Sequence, residues 1–293
     1  MDNILSLHES LVNRAYCHGV YQSFYITEPK LRHIHKASVR DRLLHHAVYR
    51  ILYPFFDRTF IADSFSCRNG KGLHKAMDRF RQFAAQASHN HMRTVWVLKL
   101  DIRRFFASID HGMLLAILRE YIPDRKILKL LENVIDSFHT EFQTGVGLPL
   151  GNLTSQLFAN VYMHRFDEWV KHALKAKYYV RYADDFVFLS DDRAWLIGVL
   201  PQIREALQKH LHLLLHPDKV ILKTFASGVD YLGWVHFSDH RVLRTKTKRR
   251  VFQKLNASPT EASLQSYLGV LGHGNASRVR DHFLGEYWLR KCD

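Results

Sequence analysis

Cysteine is scarce in this chain of 293 residues: Cys17, Cys67 and Cys292 are all it has. They form no paired metal-ligand spacing and no disulfide framework, so a zinc-ribbon or disulfide-stapled scaffold is excluded. The chain also lacks any stretch near 18 uncharged apolar residues, which argues against a membrane-spanning helix. Its first residues, "MDNILSLHESL", carry no basic segment followed by an apolar run, so no secretory signal is expected. A reducing, cytoplasmic setting fits these absences. Internal repeats and low-complexity tracts are missing as well.

Acidic residues are in short supply. Asp and Glu total 28 against 42 Lys and Arg, giving a formal charge of +14 and a pI near 9.7. A folded chain this basic suits a polyanionic partner such as nucleic acid. The 20 His add positive charge only as the solution acidifies. Hydrophobic residues make up 47%, enough for a sizeable core in one large or two to three smaller domains.

Helical and strand-like patterns interleave without a regular βαβ rhythm. Residues 1–35 read as helix and then extended chain. Asp41 to Phe60 has helical spacing, with an interruption expected near Pro54. Gly70 and Gly72 mark a turn feeding another helix. "TVWVLKLD" reads as a strand ending near Asp101. Two helices follow, then a Gly- and Pro-rich loop that enters a long helix at about Ser155. "AWLIGVLPQIREALQKHLHLLL" is a helix with a break expected at Pro201. "KVILKT" and "VDYLGWVHF" read as short strands. Past His240, "RVLRTKTKRRVFQK" holds seven Lys or Arg in fourteen residues, and two helices close the chain. The pattern predicts an α+β fold with an antiparallel sheet and helices on one face, flanked by 1–93 and 241–293.

The chemistry concentrates in "YYVRYADDFVFLS", Tyr178 to Ser190. Asp184 and Asp185 fall between two strand-like runs, at the length of a hairpin turn. A solvated tip accounts for one Asp. Two adjacent like charges call for water or a cation to compensate them. A divalent ion needs further oxygen ligands, and Asp101, at a strand end, is the candidate third. Two ions about 4 Å apart would clamp the attacking and leaving oxygens of phosphoryl transfer. As residues alone, the three acids could also be ordinary strand-end groups.

The tetrapeptide "YADD" between hydrophobic strands resembles the catalytic hairpin of reverse transcriptases. "KLDIRRFFASIDH", Lys99 to His111, resembles their first catalytic Asp segment. "RDRLLHHAVYRILYPFFDRTF" followed by "SFSCRNGKG" is similar to the fingers of the bacterial enzymes. "LHPDKV" and "DYLGW" resemble the later palm motif and the primer grip, with a weaker thumb match in "SYLGVLGHGN". The resemblance runs in order from about Lys30 to Trp234. It implies a right-hand polymerase: an N-terminal region and fingers at 1–93, a palm at 94–240 with a fingers-type segment at about 112–155, and a short helical thumb at 241–293. It implies Mg²⁺, with Mn²⁺ as a substitute, held by Asp101, Asp184 and Asp185.

The segment "GLPLGNLTSQ" narrows the resemblance. Leu150 stands where intron and retron enzymes usually carry Gln, and Gln156 where they carry Pro. That departure resembles the reverse transcriptases of diversity-generating retroelements, which misincorporate opposite template adenines. The compact length, ending soon after the thumb and without a Cys- or His-rich nuclease tail, agrees with them, although retron enzymes are also compact.

Each remaining candidate has a plainer reading beside the implied one. Phe106 would be the steric gate beneath the sugar; it could also be a core Phe beside Phe105. Arg68, with Lys71 nearby, would grip the triphosphate, or be a solvated loop cation. Leu150, Gly151 and Gln156 would lie near the templating base, with Gly151 admitting close backbone approach. Lys219 would protonate departing pyrophosphate, or pair with Asp218. Tyr231 to Gly233 would support the primer end, Tyr182 would pack the hairpin, and 241–254 would hold duplex phosphates.

The resemblance further implies a template RNA, a cDNA primer–template duplex, dNTPs and a small, basic, oligomeric accessory protein, with no membrane. Against it stand a retron or group II intron-like enzyme without the mutagenic role, a catalytically dead nucleic-acid-binding scaffold, and a nucleotidyl cyclase.

Overall fold

The computed structural model describes residues 2–27, 30–141, 143–257 and 260–291. It is an α+β fold. In chain order the elements are α1 (Asp2–Val12), β1 (Gln22–Ile26), β2 (Arg32–Lys36), α2 (Val39–Thr59), α3 (Leu73–Ala87), β3 (Trp96–Asp101), α4 (His111–Tyr121), α5 (Arg125–Asp136) and α6 (Leu153–Glu168). They continue with β4 (Tyr179–Tyr182), β5 (Asp185–Ser190), α7 (Arg193–Leu211), β6 (Ile221–Thr224), β7 (Val229–Tyr231), β8 (Trp234–His236), β9 (Arg241–Leu243), α8 (Thr245–Ala257), α9 (Glu261–Leu271) and α10 (Ser277–Lys291). The strands form a ribbon β1-β2, a sheet in the order β4-β5-β3-β6, and a sheet β7-β8-β9.

The chain makes two compact units, each built from separated segments. The first comprises Met1–Gly72, Lys99–Val187 and Ile197–Val220; the second comprises Leu73–Leu98, Phe188–Leu196 and Ile221–Asp293. α3 belongs with the C-terminal elements because Met77 shares an apolar cluster with Trp234, Val251, Leu264 and Phe283.

In the first unit α6 is the central element. Leu157, Phe158, Val161, Tyr162, Met163 and Phe166 are all buried, which leaves it almost no solvent face. A helix apolar all round belongs in a core. It packs against α2 and α4. The same helix carries buried Asn160, His164 and Asp167, and so brings polar groups into the interior.

One of those groups organises the hairpin. Arg181 on β4 is about 1% exposed and donates to both Asp167 oxygens, Nε to Oδ1 at 2.8 Å and Nη2 to Oδ2 at 2.6 Å. Tyr179 Oη adds a bond to Asp167 Oδ1 at 2.8 Å. Arg181 Nη1 reaches Asn160 Oδ1 at 3.3 Å and the Ala183 carbonyl at 3.1 Å. The Arg181 backbone exchanges bonds with the loop after α2: its N–H donates to the Asp63 carbonyl, and its carbonyl accepts from Phe65 N–H, each at 3.0 Å. A bidentate, fully desolvated pair of this kind costs about 3–5 kcal/mol to break by removing one partner.

Several expectations shift by a turn or less. The two-residue connection between β4 and β5 is Ala183–Asp184, with Ala183 at φ +56°, and Asp185 already begins β5. α6 starts at Leu153, earlier than Ser155. Neither Pro54 nor Pro201 breaks its helix. In α2 the loss of one backbone bond is outweighed by a buried face of Leu44, Val48, Leu52, Tyr53 and Phe56, and by the Ser38 cap on Asp41 N–H. Two helices, α9 and α10, close the chain as expected, and the basic run before them folds into β9 and α8. Among the described residues no helix is long and apolar enough to cross a membrane. Cys17 and Cys67 are free and exposed; Cys292 lies outside the described residues.

Candidate active site

Asp101 ends β3, and the backbone brings the Asp pair to it. Ile102 N–H donates to the Asp184 carbonyl at 3.2 Å, so the turn of the β4-β5 hairpin abuts the end of β3. His216 N–H donates to the Asp101 carbonyl at 2.8 Å, and Ile102 bridges Leu215, which carries the segment before Lys219 to the same rim.

Two lysines are seated on these acids. Lys219 Nζ lies 2.8 Å from Asp101 Oδ1, and Lys99 Nζ lies 3.4 Å from Asp185 Oδ2. Lys219 thus pairs with Asp101 and not with Asp218. Burial pushes the Asp184 carboxyl above its ordinary range, and the neighbouring Asp101 charge adds to the rise. Burial also pushes Asp185 up to about 6, with Asp101 and Asp184 adding to the rise and Lys99 opposing it. Asp185 Oδ1 is buried with no hydrogen-bond partner.

That combination fits a hard divalent cation. Carboxylate oxygens are the donors such an ion prefers, and its charge would relieve both the desolvation and the mutual repulsion. Asp101, Asp184 and Asp185 are the residues that would hold it. Among the described residues, however, no three acidic, His or Cys side chains converge at ligand distance. The three-acid clamp is not closed here; Lys99 and Lys219 occupy oxygens on two of its members.

A cavity of about 290 Å³ has Ala183, the residue before Asp184, in its lining. Four of the residues singled out from sequence line it together: Phe106, Leu150, Gly151 and Gln156. Phe105 is buried and Phe106 half-buried, so the pair divides between core and cavity. Gly151 has φ +108°, and a Cβ there would meet Ile34 Cγ2 at 2.9 Å. Only glycine satisfies both the dihedral and the close approach of β2. The wall of this cavity is tied to β2 by His35 N–H donating to the Leu150 carbonyl at 2.9 Å, and by Asn152 Nδ2 donating to the His35 carbonyl at 2.8 Å.

Arg68, expected at the triphosphate, is turned inward in this structure. Its side chain is only 5% exposed. Nε donates to Asp57 Oδ1 at 2.7 Å, Nη1 to the Ile61 carbonyl and Ser64 Oγ at 2.7 and 2.8 Å, and Nη2 to the Asp57 carbonyl at 3.0 Å. The guanidinium fork is consumed in shaping the end of α2 and the loop after it. Lys71 Nζ donates to the Ala62 carbonyl at 2.7 Å and lies 5.0 Å from the Phe65 ring centroid. Neither cation lines the cavity.

Residues 27–236 match the model of the reverse transcriptase (RNA-dependent DNA polymerase) family. The chain belongs to that family. This reverse transcriptase is 23% identical to Protein YkfC of Escherichia coli (strain K12) over 268 residues, covering 79% of this chain and 68% of that one. It is 26% identical to the group II intron-encoded protein LtrA of Lactococcus lactis subsp. cremoris over 184 residues, 60% of this chain but 29% of LtrA. The telomerase from Candida albicans, solved with the TWJ fragment of telomeric RNA, shares the fold with a TM-score of 0.59 at 11% identity, over 93% of this chain and 55% of that one. The chain therefore spans about half of the telomerase and less than a third of LtrA. Reverse transcriptases generally use a divalent metal ion.

Sequence reasoning missed Lys99, Arg181, Asn160 and the role of β2. Lys99 was visible as a cation two residues from Asp101, at a spacing that puts both on one face of a strand. Nothing local marks Arg181, whose partners lie 14 and 21 residues upstream on α6.

The raised carboxyls give a pH signature. A carboxyl lifted on folding holds its proton to higher pH in the folded chain than in the unfolded one. Its stabilising contribution is therefore complete below about pH 4 and is lost as pH rises through about 6. In EDTA, stability to denaturant should decline across that interval, and Asp185→Asn should flatten the decline. Mg²⁺ should restore stability above pH 6 in the parent chain and markedly less in Asp185→Asn. Identical pH profiles for the two proteins would remove Asp185 from this role.

Proposed function

We propose that this reverse transcriptase copies a template RNA into cDNA by two-metal nucleotidyl transfer, in the manner of a retron or group II intron-like enzyme. The observation that carries the reading is the coupling of Asp101, Asp184 and Asp185 at one sheet rim, within the family-matched segment, with Ala183 and Phe106 in the lining of one cavity. The similarity to an intron-encoded protein supports this subtype. In the reaction the primer 3′-oxygen bonds to the α-phosphorus of a dNTP, the bond to the β-phosphate oxygen breaks, and pyrophosphate leaves. Bound Mg²⁺ or Mn²⁺ would supply positive charge to the attacking and leaving oxygens.

Phe106 forms the wall beneath the sugar and disfavours a 2′-hydroxyl. Lys219, once displaced from Asp101, is placed to protonate pyrophosphate. Arg68 positions the turn that presents Lys71 and does not itself meet the triphosphate. Fingers at 1–93, palm at 94–240 and thumb at 241–293 belong to this reading, with the basic run 241–254 on the duplex backbone and Tyr231–Gly233 at the primer end. Template RNA, primer–template duplex and dNTPs are its partners, and the cytoplasm is its setting.

A second reading, adenine-directed misincorporation for diversifying a target gene, is supported by one observation: Leu150 and Gln156 share the cavity with Phe106. A Leu there offers packing where an amide would hold the nascent pair by hydrogen bonds, and losing such a bond relaxes discrimination by roughly 1–3 kcal/mol. This reading adds the small, basic, oligomeric accessory protein as a partner.

Two experiments follow. Asp184→Asn should keep the melting temperature within a few degrees and lower primer extension on RNA by about 100-fold or more. Near-parental extension would sink the polymerase assignment. For the second reading, cDNA made on one defined RNA is sequenced with the parent and with Leu150→Gln. The mutagenic reading expects errors concentrated at template adenines and reduced by the substitution. Uniformly low errors in the parent, with its RNA and accessory partner present, would leave the intron-like reading alone.

A further inference from the structure

Helix α2 carries more apolar residues than the core uses. Its buried row is Leu44, Val48, Leu52 and Phe56, on the side that packs against α6. The adjoining row at the same four-residue spacing is Val39, Leu43, Ala47, Ile51 and Phe55, and every member is exposed. Ile51 is 71% exposed, Val39 62% and Phe55 47%. The next row round the helix is Arg42, His46, Arg50, Pro54 and Arg58, also exposed throughout. Residues three apart are neighbours on a helix surface, so Val39 adjoins Arg42, Ala47 adjoins Arg50 and Phe55 adjoins Arg58.

Ridges at this spacing are the ones helices use to pack on one another. From Val39 to Phe55 the apolar ridge runs about 24 Å, or about four turns. The cations beside it are not engaged within the fold. Arg42, Arg50 and Arg58 have no side-chain hydrogen bond or ion pair among the described residues. Arg40, on the side toward the core, is tied to Asp41, the Cys17 carbonyl and Ser10. Nor does an acid of α2 offset the open row: Asp41 is buried, and Asp57 holds Arg68.

The two rows together select their occupant. A nucleic-acid backbone would use the arginines and leave the apolar ridge in water. A second copy meeting the same face would set arginine against arginine, and no helix among the described residues carries more than two acids to offer instead. An amphipathic helix whose apolar stripe is flanked by Asp or Glu satisfies both rows at once.

We propose that the Val39–Phe55 ridge of α2 is the docking surface for an acidic amphipathic helix of another protein. Ile51 and Phe55 are its apolar anchors, and Arg42, Arg50 and Arg58 pair with its carboxylates. None of these residues lines the cavity, so the inference stands apart from the polymerase reading. The partner's charge is also opposite to that of the basic accessory protein in the mutagenic reading.

The test uses the full chain and a synthetic helical peptide with leucines at helical spacing and glutamates along one flank. A matched peptide carries lysines in place of the glutamates, and binding is read by fluorescence anisotropy. The parent should bind the glutamate peptide, less tightly as salt rises, and bind the lysine peptide at least about tenfold more weakly. Ile51→Asn changes no charge and should weaken the glutamate peptide about tenfold, the size of losing one anchor, whereas Ile51→Leu should retain it. Arg50→Glu should lose the glutamate peptide and gain the lysine peptide; Arg125→Glu, exposed at the start of α5, should do neither. Melting curves establish that the variants fold. Equal binding of the two peptides by the parent, or a glutamate peptide indifferent to Ile51→Asn, overturns the proposal. If Ile51→Asn instead weakens single-stranded RNA binding or self-association while the peptide is unaffected, the face belongs to nucleic acid or to a second copy, and the proposal is again overturned. Primer extension by Ile51→Asn should match the parent; a parent that extends no primer overturns the polymerase reading and leaves the peptide result standing.

Discussion

The buried pair of Arg181 and Asp167 is the constraint on which the candidate site depends. One guanidinium joins the β4-β5 hairpin to the central helix α6 and holds the Ala183 carbonyl in the turn just before Asp184. Through Asn160, which donates to the Ser66 carbonyl at 2.9 Å, the same helix also fixes the loop after α2. An Arg–carboxylate fork is rigid in a way that a Lys pair is not. Its cost in desolvation is met by bonds from Tyr179, Asn160 and the backbone. What the pair secures is the position of an unfavourable object: a turn that forces two carboxylates out of water and toward a third.

That unfavourable object is where charge and function meet. A chain with formal charge +14 places three acids within one another's field and then balances two of them with Lys99 and Lys219. The remaining imbalance shows in the raised Asp184 and Asp185 carboxyls and in the bare Asp185 Oδ1. Desolvated, mutually repelling carboxyls of this sort are a recurrent feature of functional sites, and a bound cation would relieve them. The two lysines partly offset the charge of the acids they pair with.

Much of this was legible in the residue order because the signals were local. Hydrophobic periodicity marked β3, β4 and β5, and the Asp pair stood out because its charge interrupts two apolar runs. Segment resemblance also singled out Phe106, Leu150, Gly151 and Gln156, which line one cavity. The errors came where a partner lies far along the chain. Arg68 was expected at the triphosphate, and nothing in its own segment shows Asp57, eleven residues upstream on α2, which turns it inward. Arg181 carries no local mark of the α6 partner that buries it. Pro54 and Pro201 read as breaks because local propensity cannot see the packed faces that carry their helices through. The ribbon β1-β2 gave no motif at all; its importance appears only when Ile34 meets Gly151.

The most direct measurement is the Mg²⁺ requirement of primer extension in Arg181→Lys. This change keeps the buried charge but loses the fork, so the Ala183 carbonyl is no longer held and the Asp pair is free to drift. In protein shown by melting to be folded, the account predicts that extension saturates at a Mg²⁺ concentration about tenfold higher than in the parent, a difference worth about 1.4 kcal/mol. A folded Arg181→Lys chain with the parental Mg²⁺ requirement and rate would contradict it.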